Sequence, residues 1–139
     1  MGHSYLTVIA WGYKVLFHEF VKSLGSWSDE AYDECREVTG HDYTNREIDE
    51  HRAVDWVKAN GLELIKPSEG YGMDNTCLIC VTPVVHEDAR AGGIYTTQPS
   101  SFTLDEEDFK KLVAFTSHPE TGIPENTFPS LYVFSYEDD

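Results

Sequence analysis

Basic side chains are scarce in this sequence. Ten Lys and Arg face twenty-five Asp and Glu, for a formal net charge of −15. A surface of that sign repels a phosphate backbone, which argues against direct binding to nucleic acid. Cysteine is scarce too. Cys35, Cys77 and Cys80 form an odd set with no secretory pattern, which argues against a disulfide framework and for a reducing, cytoplasmic compartment. Met1-Gly2-His3-Ser4-Tyr5-Leu6 has no basic stretch leading into an apolar one and no Ser or Thr where a myristoylation signal prefers it. Neither a secretory signal nor a lipid anchor is therefore expected. No apolar run reaches the length of a membrane span. Also missing are G-x-S-x-G, a phosphate-binding loop and H-E-x-x-H, so hydrolase and nucleoside-triphosphatase chemistry has no support.

What is present suits one folded domain over residues 1–139. Apolar residues make up 40%, and three Trp, eight Tyr and seven Phe supply a core despite the charge. The organising stretch is Gly61 to Val85. Thr76-Cys77-Leu78-Ile79-Cys80-Val81-Thr82-Pro83-Val84-Val85 is its most continuous apolar part, and it reads as a strand buried on both faces. Leu62 to Lys66 reads as a partner strand. The polar Pro67–Asn75 segment joins the two, and antiparallel pairing is the simplest connection. Ser4 to Ala10 is β-branched and aromatic, continuing toward Val15 with Gly12 at a bulge or close approach. Leu131 to Tyr136 alternates and closes the sheet, and Ile94–Thr97 is expected as an edge strand.

Helix signals fill the rest. Leu16, Phe20, Val21 and Leu24 recur at helical spacing up to Gly25. Ser28 caps a helix with Ala31, Tyr32, Cys35 and Val38 inward and Gly40 as its stop. Thr44-Asn45-Arg46-Glu47 is a capping box opening a helix to about Ala59, with Ile48, Ala53, Trp56 and Val57 apolar. Thr103-Leu104-Asp105-Glu106 reads as a second capping box, followed by Phe109, Leu112, Val113 and Thr116 on one face. The expected fold is α+β: a mixed, mainly antiparallel sheet of four to five strands covered by three to four helices. The strand 76–85 is expected at its centre, neighboured by 62–66, 5–15 and 131–136.

Cys77-Leu78-Ile79-Cys80 has the spacing of a redox pair, but on a strand positions i and i+3 point to opposite faces, so both cysteines read as core. His41, Asp42, Glu47 and His51 offer nitrogen and oxygen donors for a metal, with Glu47 and His51 one helical turn apart. His86-Glu87-Asp88 stands just past the buried strand, with Arg90 and Gly92-Gly93 close by, where a ligand loop is plausible. Trp11, Trp27, Tyr43, Tyr71 and Tyr95 fall at expected edges, loops or turns, where aromatics can anchor a protein interface.

Ala10-Trp11-Gly12-Tyr13-Lys14-Val15, Pro129-Ser130-Leu131-Tyr132-Val133-Phe134 and the Gly72-Met73-Asp74-Asn75 turn, taken with the order of elements, resemble small acidic accessory proteins of bacteriophages. The resemblance implies no catalytic residue. It implies a phage protein acting on a host component.

The negative charge sits in two blocks: residues 29–60 carry a net −6 and residues 105–139 a net −7. Both fall largely on expected helices. The functional expectation is a non-enzymatic binding protein, without cofactor or metal, whose acidic helices engage a basic protein surface that normally holds nucleic acid. A phage inhibitor of a host nuclease, acting as a DNA mimic in the host cytoplasm, fits that description. The expected contacts are Asp29, Glu30, Asp33, Glu34 and Glu37 on one helix, and Asp105, Glu106, Glu107 and Asp108 on the other. Two alternatives stay open. One is a ligand- or metal-binding protein using the His41/Asp42/Glu47/His51 or His86/Glu87 groups. The other is a self-assembling accessory protein that dimerises through strand 94–97 or 5–15.

Overall fold

The sheet is built outward from its first strand. In the computed structural model, which describes residues 4–66, 75–88 and 102–138, β1 (Ser4–Leu16) pairs antiparallel on one side with β3 (Thr76–Asp88) and on the other with β4 (Ser130–Asp138). The short β2 (Glu63–Ile65) pairs antiparallel with β3, giving the order β2-β3-β1-β4. The helices are α1 (Phe17–Ser23), α2 (Asp29–Thr39), α3 (Asn45–Ala59) and α4 (Glu106–Thr116), with a 3-10 turn at Pro119–Thr121. This is an α+β fold whose described sheet is wholly antiparallel.

β3 is an interior strand, and Cys77, Leu78, Ile79, Cys80 and Val81 are buried in succession, as a strand covered on both faces requires. The register sets Val15, Tyr13 and Trp11 beside Cys77, Ile79 and Val81 on one face, and Gly12 beside Cys80 on the other. On the first face α1, α3 and α4 deliver Phe20, Ala53, Val57, Leu112 and Phe115 onto Tyr13, Ile79 and Val81. Burial of each large side chain there contributes roughly 1.5–3 kcal/mol. The second face gathers Val8, Ala10, Leu78 and Cys80 with Ile65, Tyr132 and Phe134, all strand residues.

Gly12 marks a close approach. A Cβ at that position would lie 2.0 Å from the Ile79 carbonyl oxygen and 2.7 Å from the Cys80 Cα. The bulge lies on the opposite strand: between the Ile9–Val84 and Trp11–Val81 pairs, Thr82 and Pro83 together face Ala10. Thr82 takes φ +38°, a left-handed conformation that a β-branched residue rarely adopts. The bulge also explains Pro83 within a strand, because the ladder is interrupted there and β2 reaches only Leu78–Cys80.

Several expectations need correction. The 131–136 strand neighbours β1 rather than β3, and it extends over 130–138. β1 is paired on both sides over residues 5–12, so that stretch has no edge left for pairing across a dimer. β3 runs on through His86, Glu87 and Asp88, which were expected to lie beyond it. Asp105 rather than Thr103 caps α4, so that helix starts two residues later. Val38 is 80% exposed instead of inward, because α2 buries only Tyr32 fully. Trp11 packs against the main core instead of lying at an exposed edge. The expected strand 94–97, the 67–74 part of the connecting segment, Tyr71, Tyr95, Arg90 and Gly92-Gly93 lie outside the described residues.

Candidate acidic interface

α2 is set up by its caps. Ser28 accepts from the Ala31 backbone N–H, and Gly40 ends the helix in the left-handed conformation, its N–H donating to the Arg36 carbonyl. The inward side rests on Tyr32, whose hydroxyl donates to Asp49 Oδ1 on α3 at 2.7 Å and accepts from the Trp27 backbone N–H at 3.1 Å. Arg52 shares that Asp49 oxygen at 2.9 Å and lies over the Trp27 ring, 4.0 Å from its centroid. Arg36 reaches the Tyr43 carbonyl and Asn45 Oδ1, tying α2 to the start of α3.

With that side docked, the other faces water. Asp29, Glu30, Asp33, Glu34 and Glu37 are all exposed. At 3.6 residues per turn they fall within an arc of about 140° and along about 12 Å of axis. That is a mean spacing of roughly 3 Å, within about twofold of the one charge per about 1.7 Å of duplex DNA. Asp33 pairs with Arg36 at 2.6 Å; among the described residues Asp29, Glu30, Glu34 and Glu37 have no ion-pair partner. Asp29 and Glu30 also sit in the first turn, where the helix dipole favours them.

The acids of α4 are employed differently. Asp105 caps the helix by accepting from the Asp108 backbone N–H at 2.8 Å. Asp108 accepts from Thr82 Oγ1 at 3.1 Å and lies 3.8 Å from the Lys111 ammonium, while Glu106 pairs with Lys110 at 3.3 Å. Among the described residues only Glu107 of this set is left without a partner. The two acidic helices also attach to α3 at opposite ends. α2 meets its N-terminal half through Arg36–Asn45 and Tyr32–Asp49, and α4 meets its C-terminal half through Phe115 on Trp56, ring centroids 5.3 Å apart. The sequence pattern found both blocks. The order of acids before Lys110 and Lys111 already suited a stabilising role at the start of α4, and the caps and pairs observed there fill it.

The metal-like segments do not converge. His41 and His51 each place a ring against Tyr43, at 5.1 and 5.4 Å between centroids, and Glu47 Oε1 accepts from the Thr44 N–H and hydroxyl in the expected capping box. Among the described residues no three His, Cys, Asp or Glu are placed to hold a metal ion. Burial pushes the Cys77 and Cys80 thiols up to about 12; nearby Lys66 opposes the shift at Cys77, and Glu63 adds to it at Cys80. A groove of about 390 Å³ between α1 and α3 is lined by His18, Lys22, Arg46, Asp49 and Glu50. Its Arg46 is already engaged: it pairs with Glu50 and contacts the His18 ring nitrogen at 2.6 Å. No helix among the described residues is long and apolar enough to cross a membrane.

No protein-family model matches the chain, and no curated protein or solved structure matches it.

Proposed function

We propose that this chain is a non-enzymatic binding protein that presents the α2 carboxylates to a basic surface of another protein. The observation that carries the reading is the exposed arc of Asp29, Glu30, Asp33, Glu34 and Glu37, four of them without an ion-pair partner among the described residues. A row of carboxylates at roughly half the linear charge density of DNA matches Arg and Lys clusters that receive phosphates, and complementary fields speed encounter. The partner class is a protein that handles nucleic acid. The resemblance to phage accessory proteins adds a host nuclease or related defence enzyme as the target, with inhibition by occupancy as the effect. Glu106 and Glu107 of α4 contribute to the overall field rather than to the contact row.

The test compares two variants of equal net charge. One replaces Asp29, Glu30, Asp33, Glu34 and Glu37 by Asn or Gln; the other replaces the exposed Asp42, Asp55, Glu63, Glu120 and Glu125 in the same way. Binding to an Arg/Lys-rich peptide is read by anisotropy at about 50 mM and about 300 mM salt. The α2 variant is expected to lose at least about tenfold in affinity and most of its salt dependence, while the control keeps both. Equal losses in the two variants would sink the reading.

A further inference from the structure

Basic side chains are few in this acidic chain, yet two of them converge on one groove. Lys22 of α1 and Arg46 of α3 line the same compartment of about 390 Å³. Its carboxylates, Asp49 and Glu50, are already matched by arginines, Asp49 by Arg52 and Glu50 by Arg46. Lys22 is the surplus charge. It has no ion-pair partner among the described residues, although Glu19 stands one turn before it. Arg46 is oriented by its neighbours. Its Nε donates to Glu50 at 3.3 Å and its Nη2 donates to the His18 ring nitrogen at 2.6 Å, which leaves Nη1 without a partner among the described residues. Past Val21, Gly25 and Asp49 the groove continues into a second compartment of about 320 Å³. Leu24 and the half-buried Trp56 line that part, with the His118 ring edge-on to Trp56, centroids 5.5 Å apart. Asp49 borders both compartments and gives Oδ1 to Tyr32 and Arg52, so Oδ2 is the oxygen left to accept from elsewhere.

We infer that this two-part groove binds a small molecule with an anionic head, phosphate or carboxylate, joined to a planar ring. The head takes charge-assisted hydrogen bonds from the Lys22 ammonium and Arg46 Nη1. The ring lies along Val21 and Leu24 against Trp56, where an apolar body leaves water. Glu120 stands beside His118 at 4.0 Å in the second compartment, and its charge keeps the anionic head at the Lys22 end. A bare anion would fill only the first compartment. Arg46 and Trp56 are about 15 Å apart along α3, so the occupant is an elongated molecule. Compartments of this size fall among small-molecule sites, which run from about 300 to about 1,000 Å³. A cationic ligand has carboxylates to choose from over the rest of a surface with net charge −15, and here it would meet Lys22 and Arg46. The groove uses none of the α2 carboxylates, and the inference does not depend on the α2 reading.

The probes are adenosine monophosphate, with a phosphate head, and indoleacetate, with a carboxylate head. Each is titrated into the full chain at about 150 mM salt, and so are its halves: adenosine and inorganic phosphate, indole and acetate. Amide shifts read by NMR are expected in residues 18–26, 46–56 and 118–120, with Kd below about 1 mM for at least one probe. Each half of that probe should bind at least about tenfold more weakly than the whole. Saturation by one probe and not the other supports the inference and fixes the chemistry of the head. Lys22→Gln and Arg46→Gln should each weaken binding at least about tenfold. Lys110→Gln removes an equal charge on α4 and should change it less than about twofold. All three side chains are exposed, so the fold is expected to tolerate each change, which unfolding midpoints check. The variant with neutralised α2 should bind within about threefold, so failure of either proposal can be told from failure of the other. The inference is overturned if neither probe saturates, if the shifts appear away from the groove, or if Lys22→Gln and Lys110→Gln weaken binding equally. It is also overturned if inorganic phosphate or acetate alone binds as tightly as the whole probe, which would mark an adventitious ion only.

Discussion

Thr82 Oγ1 donates to Asp108 Oδ2 across 3.1 Å, joining the bulge of β3 to the first turn of α4. The threonine that makes this bond is the one held at φ +38°. Backbone strain of this kind costs on the order of 1–3 kcal/mol and persists only where neighbours hold it. Asp108 is one such neighbour.

Thr82→Val keeps the shape and the strain but removes the hydroxyl, and Asp108→Ala removes the acceptor. Each is expected to destabilise by about 1 kcal/mol, with the double variant losing less than the sum. Thr82→Gly should be less harmful than Thr82→Val, because glycine relieves the positive φ. Denaturant midpoints with an unchanged slope would measure all four.

Gly12→Ala should cost about 3 kcal/mol or more. Its Cβ would stand 2.0 Å from the backbone oxygen of Ile79, where only movement of β1 from β3 makes room. Gly25→Ala is the contrast. Nothing lies within 4 Å of a Cβ there, so only the φ of +84° is penalised, at about 1 kcal/mol. Similar losses at the two sites in chemical denaturation would contradict the packing of β1 on β3.

The Cys77 and Cys80 thiols, raised from 9.0 to about 12 by burial, stay protonated in the folded chain at pH values where the unfolded chain has lost those protons. Their contribution is fully present below about pH 9 and is lost as pH rises through about 12, with a limiting slope of about 1.4 kcal/mol per pH unit for each thiol. The Tyr13 hydroxyl, also raised by burial and opposed by Thr116, adds to the same alkaline loss. Cys77→Ala/Cys80→Ala should flatten stability against pH above about 9, whatever it does to stability at neutral pH. Native-state alkylation should label the half-buried Cys35 well before either of them.

Tyr32→Phe removes the hydroxyl that bridges Trp27 and Asp49. The expected loss is about 1 kcal/mol, with hydrogen exchange in residues 29–39 accelerated more than in α3 or β3. Uniform acceleration across the chain would show that α2 is not held by this side chain.

The elements were legible where a local device defines them. Ser28, Gly40, the Thr44–Glu47 box and Asn60–Gly61 each act within a few residues, and the helix ends they imply are the ones observed. Opposite faces for Cys77 and Cys80 followed from strand geometry alone. What needed three dimensions was harder to read. Thr103 and Asp105 are both competent caps, and the local pattern does not choose between them; Asp105 is the one that accepts from the Asp108 N–H. Phe115 lies outside the periodic set of α4 that the sequence suggested, yet it touches both Phe20 and Trp56 at the centre of the core. The acidic row on α2 was readable as a pattern. That the acids of α4 serve their own helix was readable from their place in its first turn; that Asp108 also accepts from Thr82 was not, because that partner lies on β3.

The position of β1 has a consequence for how this chain reaches its fold. Its first segment must find β3 across the whole helical middle of the chain, and then β4 still later, with Thr7 meeting Ser135 over a separation of 128 residues. Helices can form as soon as their residues are available, but this sheet cannot close from local pairing. Contacts of such long range place its assembly among slow folding events, with loop closure setting the pace. Until β4 arrives, the exposed edge belongs to β1, and Leu6 to Ala10 is the stretch that a chaperone or a neighbouring chain would meet first.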